Sequence, residues 1–263
     1  MARYKDEAEA LANYDPKQYR TPDGYTSDIA VFTIVSDEKD EMKRTVKILL
    51  IKRAALDAEG EPNIEGGKWA LPGGFIVPPE TAYEAAKREL REETGVENIH
   101  IQHYGVYDAW GRDPRGWIIS NAHYAIVSEE ALARRRAADD AAEVALFDLA
   151  EVGNIQLAFD HRAIIEDAVK VVKSDMLTTT VAKNFLPEEF KLEELRTVLL
   201  AVIDDPVISV KSAFFRKAPS LPFITEALDE HNKPKVTTPT GRAKRPTQLY
   251  RFVDVWITPS IWR

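Results

Sequence analysis

The segment from Gly74 to Val96 constrains this chain most, because its glutamates recur at positions that a helix would turn toward the protein interior. Thr81 and Glu84 have the spacing of a capping box, in which the two residues satisfy each other's free backbone N–H groups. Gly95 stands where a glycine commonly ends a helix. We therefore predict a helix over residues 81–94.

Three glutamates of this helix are predicted to lie on its buried side. At about 100° per residue, Glu89, Glu92 and Glu93 all fall among the alanines of the inward face. Like charges on a partly buried face cost free energy unless a cation offsets them, and oxygen ligands suit Mg²⁺ or Mn²⁺. We therefore predict a divalent metal site. The alternative is a glutamate-rich helix with salt bridges to Arg88 and Arg91.

Nine positions across this segment form one fixed pattern, which consists of Gly74, Glu80, Arg88, Glu89, Leu90, Glu92, Glu93, Gly95 and Val96. The pattern resembles the complete signature of the Nudix family. The resemblance implies an α/β (α+β) fold, an α/β/α sandwich around a mixed sheet. It implies hydrolysis of a pyrophosphate linked to a nucleoside, with Glu89, Glu92 and Glu93 as catalytic metal ligands. The supporting residues would be Gly74, Glu80, Arg88 and Gly95.

The base that activates water in such enzymes often comes from outside the signature. Glu143 is our candidate for this role, together with Asp139 and Asp140 in the same acidic segment. Carboxylates of this kind can accept a proton from water at a metal site. An exposed acidic loop without a catalytic role explains the segment equally well.

Two further segments resemble parts of ADP-ribose pyrophosphatases and of their regulator relatives. They are Arg112–Gly116 and Leu157–His161. We predict that Arg112 and Arg115 contact phosphates, because guanidinium groups bind them in a bidentate manner. The candidates for stacking on adenine are Trp69, Phe75, Tyr107 and Trp110, each of which could instead belong to the core. His161 is expected to pack or cap a helix.

The pattern of apolar residues divides the chain into two predicted domains, residues 1–176 and 185–263, with a linker at Met176–Asn184. In the first domain we predict a hairpin, a long loop, three later strands and a helix. Their ranges are 28–35 and 45–53 for the hairpin, 54–73 for the loop, 99–107, 117–127 and 142–148 for the strands, and 160–174 for the helix.

The second domain is predicted to contain an amphipathic helix at 192–202, a short helix at Ser209–Lys217, and two strands at Phe223–Leu228 and Gln248–Val255. This order resembles the smaller winged helix-turn-helix domain of the Nudix-related transcriptional regulators of NAD metabolism. The predicted DNA contacts are Lys211, Arg216 and Lys217 in the major groove and Arg242, Lys244 and Arg245 in the wing. The alternative is a domain for dimerisation or for covering the substrate.

Charge is distributed unevenly along the chain, which has a net charge of -8. Residues 178–263 carry 13 Lys and Arg against 10 Asp and Glu, or +3, and the remainder carries 22 against 33, or -11. A basic part in an acidic protein favours a nucleic-acid contact there, although an ordinary solvated face has the same composition.

We therefore expect a Nudix domain that binds ADP-ribose or a similar nucleotide, hydrolyses it with Mg²⁺ or Mn²⁺, and is fused to a winged helix that binds double-stranded DNA as a homodimer. The alternatives are a plain ADP-ribose pyrophosphatase and a sensor of another ligand, such as a sugar. The chain has no cysteine and no apolar run of membrane-spanning length, so we expect a cytoplasmic protein without disulfides or membrane spans.

Overall fold

The computed structural model describes residues 3–15, 17, 20–36, 44–97, 99–129, 132, 143–237 and 246–254. Its first part contains the helices α1 (Glu7–Ala12), α2 (Ala82–Thr94) and α3 (His161–Thr178). It also contains the strands β1 (Gly24–Ser36), β2 (Arg44–Lys52), β3 (Trp69–Ala70), β4 (Gly73–Phe75), β5 (His100–Tyr107), β6 (Ile118–Ile126) and β7 (Glu143–Asp148). The predicted strands and helices of this part are confirmed to within a few residues.

The strands form one mixed sheet, with the order β3-β2-β1-β6-β5, to which β4 adds beside β1 and β7 beside β2. Strand β1 pairs in parallel with β6 and antiparallel with β2, which confirms the predicted hairpin. The predicted loop, residues 54–73, is irregular as far as residue 68, but its last residues form β3 and begin β4.

Alternate residues of β1 point to opposite faces of the sheet, and each face is covered by a helix. Ile29 and Val31 pack in a core that includes Leu90 of α2. Phe32 belongs to the opposite core, which includes Ile164 of α3. This alternation is what a strand buried on both faces requires. The predicted α/β/α sandwich around a mixed sheet is confirmed.

The C-terminal part contains α4 (Leu192–Val202), α5 (Pro206–Ser209), α6 (Lys211–Lys217) and the short strands β8 (Ile224–Glu226), β9 (Val236–Thr237), β10 (Thr247–Gln248) and β11 (Tyr250–Phe252). Strand β8 pairs with β11, and β9 pairs with β10. Helices followed by paired strands are the order predicted for a winged helix.

The predicted linker at Met176–Asn184 is wrong. Helix α3 continues to Thr178, and a 3-10 helix follows at Val181–Phe185, where Val181, Ala182 and Phe185 are buried. The three consecutive threonines 178–180 interrupt the helical pattern of the sequence, but tertiary packing orders the segment around them. One apolar core therefore runs from the sheet into α4 and α6.

In the part of the chain that the structure describes, none of the helices combines the length and the apolar character that a membrane span needs.

Candidate functional site

Helix α2 begins and ends at the residues that the sequence indicated. The Thr81 Oγ1 accepts a hydrogen bond from the Glu84 backbone N–H at 3.3 Å, and the Thr81 N–H donates to the Glu84 carboxylate at 2.7 Å. Gly95 ends the helix in a left-handed conformation, with φ 69°. The caps fix the position of the helix start, and they therefore fix which side chains face the preceding loop.

The guanidinium of Arg88 joins this helix to the loop before it. It donates two hydrogen bonds to Glu80, at 2.7 and 3.0 Å, and one to the backbone carbonyl of Phe75 at 3.0 Å. The hydrogen bonds from Arg88 lower the pKa of Glu80 to about 2. The same group donates to Glu89 at 2.6 Å and to Glu92 at 3.2 Å. Arg88 is thus shared among three carboxylates, as a connector of the loop–helix unit.

Glu93 is the buried carboxylate that Arg88 does not contact. It accepts a hydrogen bond from the Gly73 N–H at 2.8 Å. Burial raises its pKa to about 8, in spite of this bond, and nearby Glu89 and Asp28 add to the rise. Burial also raises the pKa of Glu89. The charged forms of Glu89 and Glu93 are therefore disfavoured unless further positive charge is present.

The prediction that all three glutamates lie on the buried face is wrong for Glu92. Its side chain is 50% exposed, whereas that of Glu89 is 14% exposed. Glu92 lies on the flank of the buried stripe, next to Arg88, and a second arginine, Arg91, approaches it to 3.9 Å. Its carboxylate faces solvent, and its role as a metal ligand stays a prediction.

Two glycines allow the loop to approach the helix closely. Gly73 has φ 154°, and a Cβ at this position would meet the Ser27 backbone and Asp28. A Cβ on Gly74 would collide with the carboxylate of Glu89. Glycine is the residue that permits such contact between backbone and side chain. The loop thus forms a cradle around Glu89 and Glu93.

The side chains in the cradle have the chemistry that a divalent metal ion requires. Glu89 and Glu93 fit a divalent ion, because they are hard oxygen ligands whose ionised forms burial penalises. Within the described ranges, no three acidic or histidine side chains converge closely enough to enclose an ion. Glu89 and Glu93 both face the loop, and their role as metal ligands stays a prediction.

A small cavity of about 70 Å³ opens beside the cradle, between the loop, β1, β2 and the start of α3. We call it the arginine cavity, because three arginines line it. Its lining includes Asp28, Arg53, Gly74, Phe75, Arg112, Asp113, Arg115, Phe159 and His161. Positive groups on one side and the cradle on the other would complement an anionic ligand that carries a metal ion.

Arg112 is the most buried of the three arginines, with a side chain 4% exposed. It donates to both carboxylate oxygens of Asp160, at 2.6 and 2.8 Å, and lies 3.8 Å from Asp28. Asp28 in turn accepts a hydrogen bond from Ser120. Arg112 thus connects the wall of the cavity to the first residues of α3, and its predicted phosphate contact stays a prediction.

Arg115 and Arg53 both lie close to the ring of Phe159. The Arg115 guanidinium is 5.3 Å from the Phe159 ring centre and 5.0 Å from that of Phe75. Arg53 lies 5.1 Å from Phe159, and burial lowers its pKa, as does the charge of Arg115. Arg115 also donates to both carboxylate oxygens of Asp113. An anion bound in this cavity, in addition to the Asp113 carboxylate, would relieve the repulsion between Arg53 and Arg115.

The other predicted site residues lie elsewhere. The Trp69 ring packs edge-on against Phe147 at 4.7 Å, as part of the core. Glu143 forms an exposed ion pair with Lys52 at 3.3 Å. Asp139 and Asp140 lie outside the described residues. Neither Trp69 nor Glu143 is among the described residues that line the arginine cavity.

Tyr107 and Trp110 do not line the arginine cavity as the structure describes it, and His161 packs as expected. Tyr107 donates a hydrogen bond to Asp167 at 3.0 Å, which attaches β5 to α3. Trp110 is 66% exposed and has Arg20 over its ring. His161 is buried, and its Nδ1 accepts the Leu71 N–H at 2.9 Å, which confirms that it packs.

The predicted DNA contacts of α6 are exposed. Lys211 makes an ion pair with Glu193 at 3.2 Å, and Arg216 and Lys217 lie at the exposed end of the helix. Arg242, Lys244 and Arg245 lie outside the described residues. Thr237 pairs with Thr247 across β9 and β10.

Sequence analysis assigned no role to four charged or aromatic residues of the arginine cavity, namely Asp28, Arg53, Asp113 and Phe159. Asp28 is the charged residue in the buried stretch of β1, which is a signal that the sequence offered. Phe159 has φ 50°, a strained conformation that only the structure reveals.

A family model described as NUDIX domain matches residues 26–168, which is more than half of the chain. The chain is also similar, over 251 residues, to the ADPR responsive transcriptional repressor NtrR of Acinetobacter baylyi. The two are 26% identical across 95% of this chain and 89% of the relative.

Two further similarities cover different shares of the chain. It is 43% identical, over 47% of its length, to 66% of the ADP-ribose pyrophosphatase of Methanocaldococcus jannaschii. The crystal structure of Shewanella oneidensis NrtR complexed with a 27mer DNA is similar with a TM-score of 0.65 and 27% identity. That likeness covers 87% of this chain and 93% of the other, so it extends beyond the Nudix part.

Proposed function

Because this chain belongs to the Nudix family, we propose that it is a transcriptional regulator whose Nudix part binds ADP-ribose or a related nucleoside diphosphate and whose C-terminal part binds DNA. The observation that carries the proposal is the extent of the similarity to regulators, which spans both parts of the chain. A protein that only hydrolysed a nucleotide would not need α4–α6 and the paired strands after them.

The arginine cavity supplies the ligand chemistry. Arg53 and Arg115 offer positive charge next to Phe75 and Phe159, a combination that suits a phosphate beside a flat base. Members of this family generally use divalent metal ions. Glu89 and Glu93 would hold such an ion, which would neutralise diphosphate oxygens when bound.

Binding at this cavity has a route to the DNA-binding part. Arg112 contacts Asp160 just before α3, and α3 is attached to the sheet again where Tyr124 donates to Asp175 at 2.6 Å. The far end of α3 packs against α4 in the shared core. A ligand that moved the first turn of α3 would therefore act on α4 and on the exposed end of α6.

DNA binding is tested by selecting duplexes from the source genome with the full chain and measuring their affinity by fluorescence anisotropy. We expect affinity to fall steeply with salt, and Arg216→Ala with Lys217→Ala to weaken binding about tenfold or more. The matched control removes two exposed lysines of the Nudix part, Lys87→Ala with Lys170→Ala. Equal affinities of the two double variants would refute the assignment of α6.

A second function, hydrolysis of ADP-ribose, is favoured by the intact signature and by the similarity to an ADP-ribose pyrophosphatase. We expect release of AMP and ribose phosphate that depends on Mg²⁺ and is lost in Glu93→Gln. Glu97→Gln, an exposed glutamate just beyond the signature, is the control. If the unmodified chain turns over no nucleoside diphosphate derivative, the hydrolase proposal is wrong and the sensing proposal is unaffected.

A further inference from the structure

A second cavity lies where the C-terminal helices pack against the sheet, and we call it the junction cavity. Its volume is about 360 Å³, within the range of about 300–1,000 Å³ that small-molecule sites occupy. Strand β2, helix α3 and helix α4 all contribute to its walls, so both parts of the chain enclose it. It shares no lining residue with the arginine cavity among the described residues.

The walls of the junction cavity are mainly apolar. They include Phe32, Val46, Leu149, Val169, Val172, Phe185, Ala201 and Val202. Ala201 and Val202 at the end of α4 are only partly buried, although they belong to the apolar face of that helix. An incompletely covered apolar surface of this kind gains free energy when an apolar molecule fills it.

Two cations stand at the same cavity. Lys173 of α3 is exposed at its rim, and Arg44 begins β2. The Arg44 Nε is buried and has no hydrogen-bond partner among the described residues. A buried donor without a partner costs free energy, and an anionic oxygen would remove that cost. The cavity thus combines an apolar interior with a positive edge that includes an unsatisfied donor.

We propose that the junction cavity binds a small amphipathic anion, with an apolar chain against Phe32, Val172 and Val202 and a single anionic head at Arg44 and Lys173. A nucleotide does not fit this description, because its sugar and base need hydrogen-bonding partners that apolar walls do not offer. A neutral apolar molecule would leave the Arg44 Nε unsatisfied.

A ligand in this cavity would affect the regulation of DNA binding, a consequence that rests on the proposed function above. The ligand would contact the sheet through Val46 and the C-terminal part through Val202 at once. A molecule that touches both parts binds best to one relative arrangement of them, and so it shifts the population toward that arrangement. The existence of this binding site does not require that the chain binds DNA or ADP-ribose.

The direct test is isothermal titration of the full chain with decanoate, below the concentration at which decanoate forms micelles. We expect saturable binding at one site, and binding of 1-decanol at least about tenfold weaker, because the alcohol lacks the charged head. Decyl phosphate should also bind more tightly than 1-decanol, because it carries the same chain and an anionic head. Absence of saturable binding for both anions would overturn the proposal, as would equal affinity for 1-decanol.

Two variants locate the site. Ala201→Phe fills the cavity from α4 and should abolish decanoate binding, and Arg44→Gln should weaken it about tenfold. Lys170→Gln is the control, because Lys170 lies on the same helix as Lys173 but pairs with Asp167 and does not line the cavity. Unchanged decanoate affinity in both site variants would contradict the proposal.

Competition separates this proposal from the proposed function. Saturating ADP-ribose should leave decanoate bound, since the two cavities have separate walls. If ADP-ribose displaced decanoate competitively, the anion would occupy the arginine cavity, and the junction site would be refuted while ADP-ribose sensing stood. If ADP-ribose failed to bind but decanoate bound normally, the proposed function would fail and the junction site would remain.

Discussion

Replacement of Arg112 by methionine should destabilise the fold, because the charge of Arg112 offsets two partly buried aspartates. The side chain of Arg112 is 4% exposed, and it donates bonds of 2.6 and 2.8 Å to Asp160. Hydrogen bonds to charged groups contribute about 1.5–3 kcal/mol each, and breaking a buried pair costs about 3–5 kcal/mol. We therefore expect Arg112→Met to lower the free energy of unfolding by about 3 kcal/mol or more.

The measurement is urea unfolding of the full chain, followed by tryptophan fluorescence without added ligand. A loss of this size corresponds to a decrease in Tm of roughly 10 °C for a chain of this length. Arg91→Met is the control: this side chain is 57% exposed, so the change should stay within about 0.5 kcal/mol. A double-mutant cycle with Asp160→Asn should give a coupling of about 1 kcal/mol or more.

The reasoning would be refuted if Arg112→Met were as stable as the unmodified chain. A variant of full stability that had lost ADP-ribose binding would assign Arg112 to phosphate recognition instead of to the wall of the cavity. The two readouts therefore separate the sequence-based prediction for Arg112 from the pairing that the structure contains.

Gly74→Ala should weaken Mg²⁺ binding by about tenfold or more, because the new Cβ would displace the Glu89 carboxylate. The measurement is isothermal titration with ADP-ribose present. Gly153→Ala, whose Cβ would meet nothing within 4 Å, should not change Mg²⁺ binding, and equal losses in both variants would contradict the cradle. Burial lowers the pKa of His123 from 6.5 to about 4, so the unfolded chain takes up the proton first as the pH falls. The free energy of unfolding should therefore drop by up to about 3 kcal/mol between pH 6.5 and 4. His123→Gln should remove this part of the pH dependence in urea titrations, and the exposed control His231→Gln should not. If His123→Gln and the unmodified chain had identical pH profiles of unfolding free energy, this prediction would be contradicted.

The sequence predicted those elements whose determinants are local. The capping box of Thr81 and Glu84, the glycine after the helix and the apolar alternation of β1 each act within a few residues, and the structure contains them all. The order of helices and strands in the C-terminal part was predicted for the same reason.

The pairings that shape the site are not local, and the sequence could not predict them. Arg112 and Asp160 are separated by 48 residues, and Asp28 reaches them from a third segment. Periodicity placed Glu92 on the buried face, but whether a flanking position faces solvent depends on the loop that covers the helix. The threonines at 178–180 likewise interrupted the helical pattern of the sequence, although the buried side chains of Val181 and Phe185 order the segment that follows them.

Reciprocal titration of ADP-ribose and DNA on the intact chain tests the central claim most directly. DNA affinity is measured by anisotropy with and without saturating ADP-ribose, and ADP-ribose affinity is measured with and without saturating duplex. Linkage requires both affinities to change by the same factor, which we expect to be about fivefold or more. If each ligand binds with the same affinity whether or not the other is present, the Nudix part does not regulate the DNA-binding part, and the account is contradicted.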